Sequence, residues 1–246
     1  MIVADLVHRF GALTALDGVS FEARPGHCVA IIGPTGCGKS TVLRILAGLI
    51  APTAGSVLID ARGPSARHPC GAYMPQADTL LPWRRALDNA TLGAEIRGED
   101  RDVATTRARD LFARFGLAGF ERAWPHELSG GMRQRVALLR TVIVGRPVLL
   151  LDEPFGALDA ITRTTLQTWL SDLLAETART SVLVTHDIDE ALRLADQIVV
   201  LSARPGRVLA TLTPPAARPR SASAVTQPEF ATQKREILRL LTPTLQ

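Results

Sequence analysis

The chain has 246 residues, 46% hydrophobic and 21% charged, which is ample apolar material for a buried core and places it among globular proteins. Its longest uncharged stretch, Ile45 to Ile59, is too short to span a membrane and is interrupted by Gly48, Pro52 and Gly55. The opening MIVADLVHRF is not a signal peptide, so a soluble cytosolic chain is expected. The net charge of +4 is uneven: residues 204–246 hold 7 of the 28 basic and 2 of the 24 acidic residues, leaving 21 basic against 22 acidic before them. A basic tail on a neutral body argues against a nucleic-acid partner, which would require a basic face. Cys28, Cys37 and Cys70 form no C-x-x-C pair, and no two histidines sit at ligand spacing, so neither a disulfide framework nor a zinc site is indicated.

In chain order, apolar runs predict strands at Val19–Ala23, Cys28–Ile32, Val57–Asp60, Ala72–Pro75, Val148–Leu151, Val182–Thr185, Ile198–Leu201 and Val208–Leu212. Helical spacing appears in TVLRILAGL, over Arg107–Phe115 and Met132–Val144, and through Ile161, Leu166, Trp169, Leu170, Leu173 and Leu174. Strands alternating with helices predict an α/β domain around a largely parallel sheet. Residues 84–145 carry helical pattern and no convincing strand, which reads as an inserted helical subdomain. Pro214 to Pro228, rich in Pro, Ala, Arg and Ser, reads as a flexible connection to a short amphipathic helix around Phe230, Ile237, Leu238 and Leu241.

GPTGCGKST follows the apolar HCVAII and opens a helix, the strand–loop–helix context of a phosphate-binding loop. Gly33, Gly36 and Gly38 allow the backbone N–H groups to converge on phosphate oxygens, with Pro34, Thr35, Cys37 and Thr41 completing the loop. Lys39 would reach the β and γ phosphates, and Ser40 would offer a hydroxyl to Mg²⁺. Lysine is otherwise scarce here, since Lys234 is the only other one. Cys37 would be a small filler, or a thiol that makes the loop oxidation-sensitive if exposed. PVLLLDEP sets Asp152 and Glu153 at the end of an apolar strand, where ligands bind in open α/β sheets. Asp152 would hold Mg²⁺ through its water shell, and Glu153 would polarise the attacking water. LVTHD ends another apolar strand with His186, placed to contact a γ phosphate or that water. Finally, ELSGGMRQRVALL opens a second helix with Ser129-Gly130-Gly131, another end with bare N–H groups and a positive dipole.

The order of these motifs resembles the nucleotide-binding subunit of an ATP-binding cassette (ABC) transporter, over residues 1–212. GPTGCGKST looks like the Walker A loop, Gln76 like the Q-loop, LSGGM like the family signature, VLLLDE like the Walker B strand, GALD like the D-loop ending at Asp159, and His186 like the switch histidine. The resemblance implies a P-loop NTPase core with an inserted helical subdomain and a small antiparallel β portion, followed by a tail over residues 213–246. It implies ATP and Mg²⁺ as cofactors, with Gln76 joining Ser40 and Asp152 at the metal. It also implies a homodimer of cassettes in which Ser129, Gly130, Gly131 and Met132 serve the partner's nucleotide and Asp159 lies at the interface. Phe10 is similar in placement to the aromatic that stacks on adenine, although Phe10 and Phe21 could both be core. LLPWRRALDN and LSGGMRQR resemble the nitrate, sulfonate and taurine importer branch, where Met132 stands for the glutamine common elsewhere.

On this reading the chain energises integral membrane permease subunits from the cytoplasmic side of the inner membrane, with an extracytoplasmic substrate-binding protein as an indirect partner. The alternative is a soluble mechanical ABC ATPase acting on nucleic acid or ribosomes. Only 52 residues separate Gln76 from Ser129, too few for long coiled coils, and the chain carries one cassette. A GTPase is disfavoured because Asn89 is the only asparagine, which leaves no N-K-x-D motif. A sensor without catalysis would be expected to lack Glu153 or Lys39. Leu80, Leu81, Pro82 and Trp83, just after Gln76, could pack internally or form an apolar rim that receives a permease helix.

Overall fold

The sequence CVAII at Cys28–Ile32 is buried at every position, which a strand achieves only where both faces of its sheet are covered. In the computed structural model, which describes residues 1–59, 63, 71–221 and 223–242, this strand lies inside a six-stranded sheet. Numbered in chain order, the strands are β1 (Ile2–Phe10), β2 (Leu13–Glu22), β3 (Cys28–Ile32), β4 (Ala54–Leu58), β5 (Gly71–Met74), β6 (Val148–Asp152), β7 (Thr180–Val184), β8 (Gln197–Leu201) and β9 (Val208–Leu212). The helices are α1 (Lys39–Leu46), α2 (Ala86–Ile96), α3 (Arg101–Arg114), α4 (Gly130–Ile143), α5 (Ala160–Thr177), α6 (Ile188–Leu194) and α7 (Pro228–Leu241).

The large sheet runs β5-β6-β7-β3-β8-β9, parallel throughout except for β9, which pairs antiparallel with β8. A separate antiparallel sheet runs β2-β1-β4. The expected α/β core and its antiparallel portion are both present.

Strand alternation divides the apolar side chains between two cores. Cys28, Ala30 and Ile32 of β3 and Leu149 and Leu151 of β6 pack with the helices α2 to α7. Val29, Ile31, Val148 and Leu150 face the other way, onto Val42, Leu43 and Leu46 of α1 and onto Val3, Leu6 and Val19 of the antiparallel sheet. Each such fully buried aliphatic side chain contributes about 1.5–3 kcal/mol. The second core seats α1, and with it the loop before it, between the two sheets.

Several elements differ from the sequence reading. β1 was not expected, because its period-2 pattern is broken: Asp5 takes φ 48, the register shifts between Val3 and Leu6, and the buried positions fall at Val3, Leu6 and His8. β2 begins six residues before the expected Val19 for the same reason. The strand expected over Val57–Asp60 forms earlier, at Ala54–Leu58, while Asp60 and Cys70 lie outside the described residues. The stretch after Pro214 is not loose. Arg218 pairs with Asp196 at 2.6 Å, and the Arg220 guanidinium donates to the carbonyls of Leu192, Arg193 and Ala195 at the end of α6. These contacts seat α7, whose Phe230 and Ile237 are fully buried, whereas Leu238 is exposed.

Candidate functional site

Four neighbouring parallel strands, β5, β6, β7 and β3, end along one edge of the sheet, so the segments that follow them meet there. Gln76 follows β5, Asp152 and Glu153 end β6, His186 follows β7, and the glycine-rich loop follows β3. Strand order thus gathers residues drawn from 33 to 186 in the chain.

The loop's glycines are required where they stand. Gly38 has φ 104, and a Cβ there would fall 2.6 Å from Leu16 Cδ2. At Gly33 a Cβ would meet Cys37 Sγ at 2.9 Å and Leu201 O at 3.0 Å. Gly38 caps α1 with no side chain, and no acidic residue occupies the first turn, leaving its N–H end open to an anion. Lys39 is buried and donates to Gly33 O at 2.8 Å and Pro34 O at 3.0 Å, closing the loop on itself. Cys37 is buried beneath the loop, and burial pushes its thiol above the ordinary value, so it is a packed filler and not an exposed, oxidation-prone thiol.

A cleft of about 290 Å³ opens over this loop. Thr35, Gly36, Gly38, Lys39, Ser40 and Thr41 line it, with Gln76 and Glu153 on one side and Phe10 on the rim. Gly33, Pro34 and Cys37 are not part of the lining. Phe10 is 47% exposed and stacks edge-on against His8, whereas Phe21 is core. Arg204, in the turn between β8 and β9, also lines the cleft; nothing local in SARPGR marked it, because its position depends on the hairpin's placement.

Ser40 donates to Asp152 Oδ1 at 3.1 Å. The Asp152 carboxyl is buried, which raises its pKa, while the Ser40 hydroxyl, Arg44 and Lys39 oppose the rise. Glu153 stands in front of it with φ 48, a strained conformation for a residue with a side chain. Its N–H donates to Val184 O at 2.8 Å, and Gln134 of α4 donates to its carbonyl at 3.2 Å and to Pro154 O at 3.4 Å. The carboxylate is held on both sides: Gln76 Nε2 donates to Oε2 at 3.1 Å, and His186 Nδ1 lies 3.3 Å from Oε1. Gln134 went unrecognised in the sequence, since its partner is 19 residues away.

The remaining expected residues lie apart. Ser129 caps α4 by accepting from Met132 N at 3.2 Å, and Ser129 and Gly130 are exposed. None of Ser129, Gly130, Gly131 and Met132 lines the cleft of this chain. Asp159 is exposed at the start of α5, where it accepts from Thr162 N. After Gln76, Leu80 is buried in the core but Trp83 is 70% exposed, on a second cavity of about 500 Å³ shared with Trp124, Arg84 and Glu95.

Residues 16–156 match the ABC transporter family. The chain belongs to that family. The chain is 46% identical to the aliphatic sulfonates import ATP-binding protein SsuB 1 of Rhodococcus jostii, over 89% of this chain and 86% of that one. It is 45% identical to the taurine import ATP-binding protein TauB of Burkholderia thailandensis, over 82% and 78%. Among solved structures it is similar to the dimeric ABC transporter cassette MJ0796, with a TM-score of 0.81 and 30% identity, covering 88% of this chain and 99% of that one. A post-hydrolysis form of MJ0796 bound to ADP and Pi superposes with a TM-score of 0.76 over 85% and 98% at 30% identity. The present chain is accordingly an ABC ATPase.

Proposed function

We propose that this ABC ATPase is the subunit that energises a separate membrane permease importing a small oxyanion solute, with sulfonates such as taurine first and nitrate in the same class. The names of its relatives support the solute class. The observation that carries the catalytic reading is the Glu153 carboxylate, held between Gln76 and His186 at the mouth of the loop's cleft.

In this reading residues 1–212 are the ATPase domain, with the helical subdomain over about 84–145, and residues 213–246 are a C-terminal tail. ATP phosphates take the N–H groups of the loop and of α1, for which Lys39 leaves the carbonyls of Gly33 and Pro34. Phe10 stacks on the adenine. Glu153 accepts the proton of the attacking water, and His186 and Gln76 fix the carboxylate's direction. Ser40 and Asp152 fit a hard divalent cation, because a hydroxyl and a buried carboxylate converge 3.1 Å apart, and the Gln76 side chain is close enough to the cleft to join them. Mg²⁺ bound there would neutralise charge building on the transferring phosphoryl group.

The exposed start of α4, absent from its own chain's cleft, supports a head-to-tail dimer in which Ser129, Gly130, Gly131 and Met132 close over the partner's nucleotide, with Asp159 at the interface. Among the described residues no helix is long and apolar enough to cross a membrane. Attachment to the cytoplasmic side of the inner membrane would come through the permease, received at the Trp83 cavity, and the extracytoplasmic substrate-binding protein is reached only through that permease. The test is ATP-dependent uptake of taurine or an alkanesulfonate by proteoliposomes holding the chain with its co-purified permease. ATPase stimulation by nucleic acid or ribosomes, with no membrane partner recovered, would favour the mechanical alternative.

A further inference from the structure

Glu190 lies in the first turn of α6, four residues after His186, and is only 5% exposed. Its Oε1 touches neither solvent nor any hydrogen-bond partner. That carboxyl lines a cavity of about 10 Å³ together with Glu153, Phe155, Thr185 and His186, a space for at most one water. The turn above it is tightly organised. Asp187 N donates to Thr185 Oγ1 at 3.0 Å, and Asp187 Oδ1 accepts from the N–H groups of Asp189 and Glu190.

We propose that Glu190 is a positioning residue for ATP hydrolysis, supporting from beneath the Thr185–His186–Asp187 turn that holds His186 against Glu153. The inference rests on the assignment of Glu153 and His186 to the hydrolytic site.

A buried carboxyl has two forms, and only one suits this place. The charged and titratable groups around it are Asp187 on its own turn, Arg163 of α5, and Glu153 and His186 across the cavity; the Gln167 amide of α5 also faces it. Burial pushes the Glu190 carboxyl up to about 8, the Asp187 charge adds to the rise, and the Thr185 hydroxyl, Arg163 and Gln167 oppose it. Arg163 lies 3.6 Å from Asp187 Oδ2 with its Nε unpartnered, and Gln167 Oε1 accepts from Arg193, which leaves the Gln167 amide N–H groups as donors toward Glu190. Burial outweighs these contacts and favours the uncharged acid at neutral pH. Its ionisation places a third negative charge beside Asp187 and Glu153 and loosens the turn that carries His186.

The experiment is steady-state ATP hydrolysis by the full chain with Mg²⁺, from pH 6.5 to 9.5, for wild type, Glu190→Gln and Glu190→Ala. Wild-type kcat should fall as pH rises through about 8. Glu190→Gln, a permanent mimic of the uncharged acid, should match wild type within about twofold at pH 7 and lose that alkaline limb. Glu190→Ala should lose about tenfold in kcat at pH 7 with KM for ATP nearly unchanged, because the turn and not the phosphate loop is disturbed. An alkaline limb unaltered in Glu190→Gln, a dead Glu190→Gln at pH 7, or an unimpaired Glu190→Ala overturns the proposal. If Glu190→Ala does not fold, the Gln profile decides alone. Glu153→Gln measured alongside separates the two readings, since full activity there removes the hydrolytic site itself whatever Glu190 does.

Discussion

Arg133 Nε lies 2.9 Å from Asp78 Oδ2, tying the helix that starts at Ser129 to the loop that carries Gln76. Arg140, two turns along the same helix, donates to the carbonyls of Asp78 and Thr79. Gln134, next to Arg133, holds the Glu153 carbonyl. One helix thus touches the Gln76 loop and the Glu153 turn, while its Ser129 end stays exposed. Half-exposed ion pairs contribute about 1 kcal/mol or less, so Asp78→Asn should barely lower the melting temperature and leave basal ATPase within about twofold. Its stimulation by the permease should fall, which paired basal and reconstituted ATPase assays would detect. Unchanged stimulation would show that this pair only stabilises the fold.

Lys39 and Glu153 should fail differently. Lys39→Ala removes the proposed phosphate ligand and leaves the carbonyls of Gly33 and Pro34 without their donor, so both ATP binding and turnover should drop. Glu153→Gln keeps the shape but cannot take a proton from water, so turnover should fall by roughly 10²-fold or more while binding survives. Equilibrium binding of a fluorescent ATP analogue beside steady-state turnover separates the two. Undiminished hydrolysis by Glu153→Gln would remove that residue from the chemistry.

Trp83 is 70% exposed, so its truncation should spare the core. Trp83→Ala is expected to fold with normal basal ATPase yet lose permease association, since a buried aromatic anchor often contributes about 2 kcal/mol or more at an interface. Size-exclusion co-elution with the permease is the readout. A collapse of thermal stability would return Trp83 to the chain's own packing.

Glu190 also predicts a pH-dependent stability. Its folded pKa of about 8 stands above its ordinary value of 4.5, so the folded chain holds a proton that the unfolded chain has released between those values. The stability it contributes is complete below about pH 4.5 and is lost progressively as pH rises to about 8. Glu190→Gln has no such loss. The melting temperature of the variant should exceed that of wild type by a margin that grows between pH 5 and 8 and is level above. A constant margin would mean that the carboxyl is already ionised in the fold.

Much of this was legible in the sequence because the central strands are short, wholly apolar runs that end in the residues of interest, as at Val148–Asp152 and Cys28–Ile32. The elements that escaped notice share a cause. β1 is interrupted at Asp5 by an irregularity that shows in its pairing with both β2 and β4, and α6 has seven residues, too few for a helical period to emerge. The seating of the C-terminal segment depends on Arg218 and Arg220 reaching carboxylate and carbonyl groups more than twenty residues away. Gln134, Arg204 and Glu190 belong to the same class: each residue type is unremarkable in its local window, and its role comes from what the fold sets beside it.

The most direct test of the account concerns the two helix ends proposed to bind phosphate, one at Gly38 and one at Ser129, which do not share a cleft within a single chain. Ligand binding that spans two bodies stabilises their association. Sedimentation of Glu153→Gln with saturating ATP and Mg²⁺ should therefore give a dimer, and adding Ser129→Arg to the same chain should return it to monomer. A monomer for Glu153→Gln at saturating nucleotide and high protein concentration would contradict the shared site.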